Sequence, residues 1–340
     1  MFYYNEYMTT PEDLAFSELL KDLLDPAADI AEDRIFQMSN LGAADLTALT
    51  LAWENIPLDR RRGLVAGLEN LAAKDPLLFF EEIGKIAIHD PDAEVRVYAI
   101  RLTVLEEDPD FAASLIDLVE KDPHFEVRAG AAFALGKYVY LGEIEEIPYG
   151  TQLKVEAVLM EAHRSDAQDL VRQRALEAIG FSSRDEITAL IEDAYNRDDE
   201  DWQQSAIYAM GASANPRWTL QVTESLASDS SVLRYEAARA AGKLNLADLR
   251  DDLFDLAEND TDEEVRHAAI WALSDIGGQG VGEFLEDRLD QTEDPIEIEL
   301  LEEALDNLVA SQFFDDMSLP LFDFDGDDFA DLDEDDDEDD

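Results

Sequence analysis

The sequence predicts an all-α fold, a right-handed α-solenoid of stacked helix pairs with a disordered acidic C-terminal tail, on three observations. The phrase Asp-x-x-x-x-Val-Arg-x-x-Ala recurs, as Asp90…Val95-Arg96…Ala99, Asp122…Val127-Arg128…Ala131 and Asp260…Val265-Arg266…Ala269. Weaker copies at Val171-Arg172…Ala175, Trp202-Gln203…Ala206 and Leu233-Arg234…Ala237 complete a column whose steps are 32, 44, 31, 31 and 32 residues. Repetition at such a period marks units that bury their apolar faces only against neighbours. Within each copy apolar residues fall at offsets 0, 4, 7 and 8 from the Val position, one stripe at the helical period, as in Val127, Ala131, Ala134 and Leu135. Finally, residues 313–340 hold 15 carboxylates and no Lys or Arg, so self-repulsion predicts disorder there.

Taken in order, residues 1–74 form an N-terminal capping region. Thr10-Pro11-Glu12-Asp13 is a helix start, with a capping hydroxyl, Pro at the first position and acids in the first turn. Helices are expected at 11–24, 28–38, 43–54 and 58–73, the later ones as decayed repeats that close the stack. Residues 75–312 form the repeat array. Each repeat pairs an A helix with a B helix that carries the Val-Arg phrase. The A helices are expected at Phe111–Lys121, Thr188–Tyr195, Thr219–Ala227, Leu249–Glu258 and Val281–Leu289. The Asp that opens each phrase is placed to cap the B helix or to bond the next turn. Gly136, Gly180, Gly211 and Gly242 fall at offset 9, where a left-handed glycine would end the B helix. Gly277-Gly278-Gln279-Gly280 matches the turn into the next A helix; it has neither the lysine nor the preceding strand of a nucleotide loop. The 44-residue step locates an insertion near 138–150, about a dozen residues, rich in aromatics and acids. It is either a functional loop or a lengthened helix pair. Pro295–Ser311 replaces Val-Arg with Leu300-Leu301 and has acidic outward positions, as a solubilising end repeat requires.

Composition excludes several function classes. Cysteine is absent, which removes disulfides, thiolate metal sites and cysteine nucleophiles. The charge of −57, of which −42 lies before residue 313, repels phosphate backbones and anionic lipid, so generic nucleic-acid and membrane binding are not expected. An acidic surface with few lysines is also what a salt-adapted proteome shows. The opening residues lack the basic and apolar regions of a signal peptide, and no run approaches a membrane span, so a cytoplasmic location is expected.

The arginines of the phrase sit in the first helical turn, where a cation opposes the helix dipole. Their recurrence therefore needs another reason. Arg96, Arg128, Arg172, Arg234 and Arg266 are expected to form a structural ladder of Arg–Asp contacts between repeats, broken at Gln203. Offsets 2, 3 and 6 escape the core stripe and, in stacks of this kind, B helices line the concave surface. There stand Tyr98, Arg101, Phe133, Arg174, Tyr208, Tyr235, Arg239, His267 and Trp271, residue types enriched in binding hot spots. This row is the candidate partner-binding site; the alternative for Phe133 and Trp271 is packing between repeats.

The Val-Arg-x-x-Ala-x-x-Ala-Leu-Gly phrase resembles short HEAT-like repeats of the phycobilisome-lyase-related type, over roughly residues 75–310, best at Asp122–Gly136 and Asp260–Gly277. The resemblance implies an α-solenoid. Such families include scaffolds, phycobilin lyases and deoxyhypusine hydroxylase, the last with a di-iron centre on paired His-Glu dipeptides. Here the histidines stand as His89-Asp90, His124-Phe125, His163-Arg164 and His267-Ala268, so that activity does not carry over.

No catalytic, cofactor or metal residue is assigned. The four histidines lie in different repeats, whereas metal ligands must converge. In the tail Asp323, Asp325, Asp327 and Glu334 fall at calcium-loop spacing, but Asp328 replaces the required glycine. The expectation is a non-catalytic protein-interaction scaffold, monomeric, whose partner is a protein or peptide of basic character. The acidic tail would recruit that partner or occupy the groove. A lyase-like chromophore-binding enzyme and an acidic chaperone for basic proteins are the alternatives.

Overall fold

A computed structural model describes residues 11–314 apart from 29 and 31. The Thr10 cap and the tail from residue 315 lie outside the described residues. Among the described residues every regular element is helical. The described residues divide into two compact units, 11–134 and 135–314.

The first unit contains α1 (Pro11–Leu24), α2 (Glu32–Ile35), α3 (Ala43–Ala52), α4 (Leu58–Lys74), α5 (Glu81–Ala87), α6 (Ala93–Leu102), α7 (Ala112–Lys121) and the start of α8 (Phe125–Glu143). The helix expected over 28–38 is shorter. The Asp25 carboxylate accepts the Ala27 N–H at 2.9 Å, holding a turn, and α2 with the 3-10 segment Phe36–Met38 follows it. Leu19, Leu23, Leu49, Trp53, Leu64, Leu68 and Ile83 are buried as its core. α4 and α5 both pack on α6. α4 also carries a rung that the Val-Arg phrase does not reveal. The Arg61 guanidinium lies 2.8 Å from Asp90, whose carboxylate also accepts the Trp53 indole N–H at 2.7 Å.

The second unit continues with α9 (Tyr149–Ser165), α10 (Asp169–Ile179), α11 (Asp185–Tyr195), α12 (Glu200–Ala212), α13 (Thr219–Leu226), α14 (Ser231–Lys243), α15 (Arg250–Asn259), α16 (Glu263–Ile276), α17 (Val281–Gln291) and α18 (Pro295–Phe314). The insertion is absorbed as helix. It lengthens α8 and α9 to 19 and 17 residues, against 8 to 11 in α11, α13, α15 and α17. Tyr138 and Ile147 are buried, and Tyr140 meets Phe181 edge-on at 6.2 Å. The B helices α12, α14 and α16 start at side-chain caps: Asp199 accepts from Trp202 N, Ser230 from Leu233 N, Asp262 from Glu264 N and Val265 N. The Asp that opens the phrase acts two residues earlier. Asp260 accepts the Asp262 N–H at 2.9 Å, and in the first unit Asp90 and Asp122 hold Asp92 and His124 in the same way.

The offset-9 glycines are not left-handed; the only positive-φ glycines among the described residues are Gly277, Gly278 and Gly280. Their role is close approach. A Cβ at Gly136 would lie 3.1 Å from the Ala178 Cα, at Gly180 2.8 Å from the Ala209 Cα, at Gly211 3.1 Å from the Ala240 Cα, and at Gly242 3.0 Å from the Ala272 Cα. Each glycine thus receives the offset-7 alanine of the next B helix. After Gly211 and Gly242 the left-handed residue that turns the chain comes three positions later, at Ala214 and Asn245, and Gly277 stands at the same register after α16. B helices α10, α12, α14 and α16 pack in succession, α18 following on α16. Neighbouring A helices meet through side-chain tips instead: the Tyr195 hydroxyl is 3.2 Å from the Ser225 hydroxyl, and the Phe254 and Phe284 rings are 5.0 Å apart. The second unit is therefore built of wedges, narrow on the B side.

Candidate protein-interaction face

The ladder arginines converge on one contact. Arg96 and Arg128 donate to the carbonyl six residues back, at 2.7 and 3.0 Å, and Arg234 and Arg266 do so at 2.9 and 3.0 Å. Gln203 fills the same role, its amide donating to the Arg197 carbonyl at 2.9 Å. Arg96 and Arg234 also make a forked contact to the following repeat. Arg96 holds Asp122 through Nε and Nη2 at 2.7 and 2.9 Å, and Arg234 holds Asp260 at 2.7 and 2.8 Å. Arg172 departs from the scheme: it pairs with Asp169 and lies 5.2 Å from the Trp202 ring, which Arg197 covers at 3.6 Å.

His163 belongs to this cluster, edge-on to Trp202 at 5.9 Å, its Nδ1–H donating to the Arg172 carbonyl at 2.9 Å. Burial pushes its imidazole below the ordinary value, and the nearby guanidinium groups add to the shift. An unfolded histidine titrates near ~6.5, so stability from the neutral His163 is complete above that pH and lost as the pH falls. The thermal midpoint is expected to drop between about pH 7 and pH 5, and His163→Phe to flatten that drop, read by circular dichroism. In more acid solution a second loss follows. Arg234 holds Asp260, and Arg62 holds Asp92, below the usual carboxylate range. Their contribution is present above the unfolded value of about 3.9 and lost below it.

The row at offsets 2, 3 and 6 is less open than the sequence suggests. Phe133 is 2% exposed and Tyr208 5%, and Arg101 and Arg174 are buried. The tight B-side stacking explains this, because neighbouring B helices close over any side chain directed along the stack. Phe133 is therefore packing and not an accessible contact. Arg101 pairs with Glu69 at 3.2 Å and lies 5.4 Å from the Tyr98 ring. Arg174 pairs with Glu177 at 2.9 Å, and Glu177 accepts the Ser205 hydroxyl at 2.6 Å. Tyr98 on α6 is half-buried, and so are Tyr235 and Arg239 on α14 and His267 and Trp271 on α16, where the accessible residues of the row are most numerous. Arg239 lies 5.8 Å from the Tyr208 ring and 5.6 Å from the Tyr235 ring, and Lys243 lies 4.9 Å from Tyr208. His267 stands 3.9 Å from Glu263. Lys243, at offset 10, was outside the sequence row; one further helical turn beyond offset 6 would have found it.

Among the described residues no group of three or more His, Asp or Glu side chains is arranged to hold a metal, and no helix is long and apolar enough to cross a membrane. Residues 219–306 match the family model described as HEAT repeats. No curated protein matches the chain. Among solved structures it is similar to the Escherichia coli protein YibA, at 20% identity over 72% of this chain and 96% of that one, with a TM-score of 0.39. Human deoxyhypusine hydroxylase matches at 16% identity over 88% and 97%, with a TM-score of 0.36. Importin beta matches at 13% identity over 88% of this chain and 48% of that one, with a TM-score of 0.42. Residues 219–306, the part of the chain that matches HEAT repeats, are helix pairs like those from α9 onward, and their α14–α16 glycine–alanine contact repeats those of α10 with α12 and α12 with α14.

Proposed function

We propose that the protein is a non-catalytic interaction scaffold that grips a protein partner on the B-helix face of α14 and α16. The observation that carries this is the cationic–aromatic cluster of Tyr208, Tyr235, Arg239 and Lys243. In a chain with 82 acidic and 25 basic residues, a face where basic side chains lie on aromatic rings is chemically distinct. Its rigid rings add contact area at small entropic cost, and its cations select acidic or aromatic groups. The tail sequence Leu319–Leu332, with Phe322, Phe324 and Phe329 among aspartates, is of the kind this face would accept. The tail then recruits a basic partner, or occupies the face until a partner displaces it.

The test compares wild type, Tyr235→Ala/Trp271→Ala and a version ending at Gln312, each tagged and recovered from its native cells. Both substituted side chains are half-buried, so an unchanged thermal midpoint is checked first. The double variant is expected to lose the partner and the shortened version to change its recovery. Unchanged recovery in the double variant removes the B-helix face from the reading.

A further inference from the structure

In the first unit two short connections meet and leave apolar side chains in solvent. The Asn40 N–H donates to the Phe79 carbonyl at 3.2 Å, and the Phe79 N–H donates to the Ser39 hydroxyl at 3.1 Å. These reciprocal contacts join segment 36–41 to segment 77–79. Around the joint Phe36 is 50% exposed, Leu77 76% and Phe79 41%, with Pro76 exposed and Leu41 half-buried. The polar residues between them, Gln37, Ser39 and Asn40, carry no charge. Charges at the border are engaged: Arg34 with Asp22, and Lys85 with Glu82 and Glu106. The Asp75 carboxylate accepts the Leu77 N–H at 2.9 Å, and Lys74 and Glu81 stand beyond it in the chain, one of each sign. Two exposed phenylalanines and a leucine in one place, in so acidic a chain, call for a cover of apolar and aromatic groups.

The path of the chain selects that cover. Arg34 sits beside Asp22, and Gln37 shares with Glu18 and Lys21 the cleft that Arg34 and Asp22 also line. Residues 34–38 therefore run back along α1, and the joint at 39–41 lies toward the end where Pro11 begins that helix. Residues 1–10, outside the described residues, precede Pro11 directly. Pro11 is seven residues from Glu18, about 10 Å along a helix, whereas ten extended residues span up to about 33 Å. Reach is thus ample. The segment holds Phe2, Tyr3, Tyr4 and Tyr7 with Met1 and Met8, rings and thioethers suited to packing on Phe36 and Phe79. Other occupants fit less well. A second copy would bring −57 against −57, and the 15 carboxylates of residues 313–340 gain nothing from an uncharged surface. We infer that residues 2–8 fold back over Phe36, Leu77 and Phe79 of the same chain and close this end of the first unit. The site is separate from the B-helix face and does not rest on the reading given for it.

Because the chain has no cysteine, a disulfide can report the contact directly. Tyr4→Cys and Leu77→Cys are introduced together into the full chain, and the rate of disulfide formation under mild oxidant is read on non-reducing gels. The pair is then measured in two further backgrounds. Phe2→Asp/Tyr3→Asp puts charge on the segment while keeping the tether and its length, and Phe36→Asp puts charge on the patch. A tether alone supplies only its local concentration, so docking is expected to speed closure at least about tenfold over both charged backgrounds. The product should be an intramolecular disulfide. Phe36→Asp is first checked for an unchanged circular dichroism melt; if it melts early, the segment-side background decides by itself. Equal rates in the pair alone and in Phe2→Asp/Tyr3→Asp overturn the proposal. So does failure of the pair to close, and so does a disulfide-linked dimer as the main product in dilute protein, since the segment then reaches a second copy.

Discussion

Arg96→Ala is expected to destabilise the first unit by about 3–5 kcal/mol, the range for removing one partner of a buried ion pair. The side chains of Arg96 and Asp122 are 8% and 4% exposed, so solvent screening offers little relief. The guanidinium makes three contacts, two to the Asp122 carboxylate and one to the Asp90 carbonyl. With the arginine gone, Asp122 keeps its contact with the His124 N–H but loses the guanidinium that forks over it, and its buried charge is left poorly compensated. Arg96→Lys should recover part of the loss, since an ammonium supplies the charge without the planar fork. Asp122→Asn should cost less than Arg96→Ala, because the amide oxygen can still hold the turn and no bare anion remains. The measurement is the urea midpoint followed by circular dichroism. Equal midpoints for Arg96→Ala and wild type would show that the pair is neutral to stability.

Gly180→Ala is expected to be the second large effect, and its sign is the informative part. Gly180 has helical dihedrals at the end of α10, so local propensity favours alanine there, by up to ~1 kcal/mol. The added Cβ would stand 2.8 Å from the Ala209 Cα, 2.9 Å from its Cβ and 3.0 Å from its carbonyl oxygen. Those are backbone and near-backbone atoms of α12, which cannot rotate away. The helices must separate, and overpacking of this kind costs about 1–3 kcal/mol, more for Gly180→Val. Gly63→Ala in α4 is the matched control, because nothing lies within 4 Å of its Cβ position. It should leave stability unchanged or raise it. A Gly180→Ala chain as stable as wild type would mean that the B helices are spaced by something other than this contact.

Period and stripe made the helices legible: α1, α3, α4 and the A helices α7, α11, α13, α15 and α17 fall within a few residues of where the pattern puts them. That follows from physics, since amphipathic periodicity and turn residues are local. What the sequence hid lies between repeats. One repeat cannot show that its glycine faces the alanine some 29 to 42 residues on, so Gly136, Gly180, Gly211 and Gly242 read as helix stops when they are contact points. The candidate row suffered from the same blindness. A helical wheel leaves Phe133 and Tyr208 off the core stripe, yet both are buried. Arg61 was invisible for a different reason: its helix lacks the Val-Arg phrase, and the contact to Asp90 is its only marker. The insertion could be read as loop or helix, and its exposed Tyr149 looks no different in sequence from its buried Tyr138.

The column of glycines seated on alanines has a mechanical consequence. Backbones already in van der Waals contact can be neither pushed closer nor drawn apart without loss, so the B edge of the second unit behaves as an inextensible spine. The A edge is held by side-chain tips such as Tyr195 on Ser225, which can swing while their backbones diverge. The soft deformation is then a fan opening about the spine. A load applied to the A edge would change the curvature while the helix-to-helix register along the B edge stays fixed.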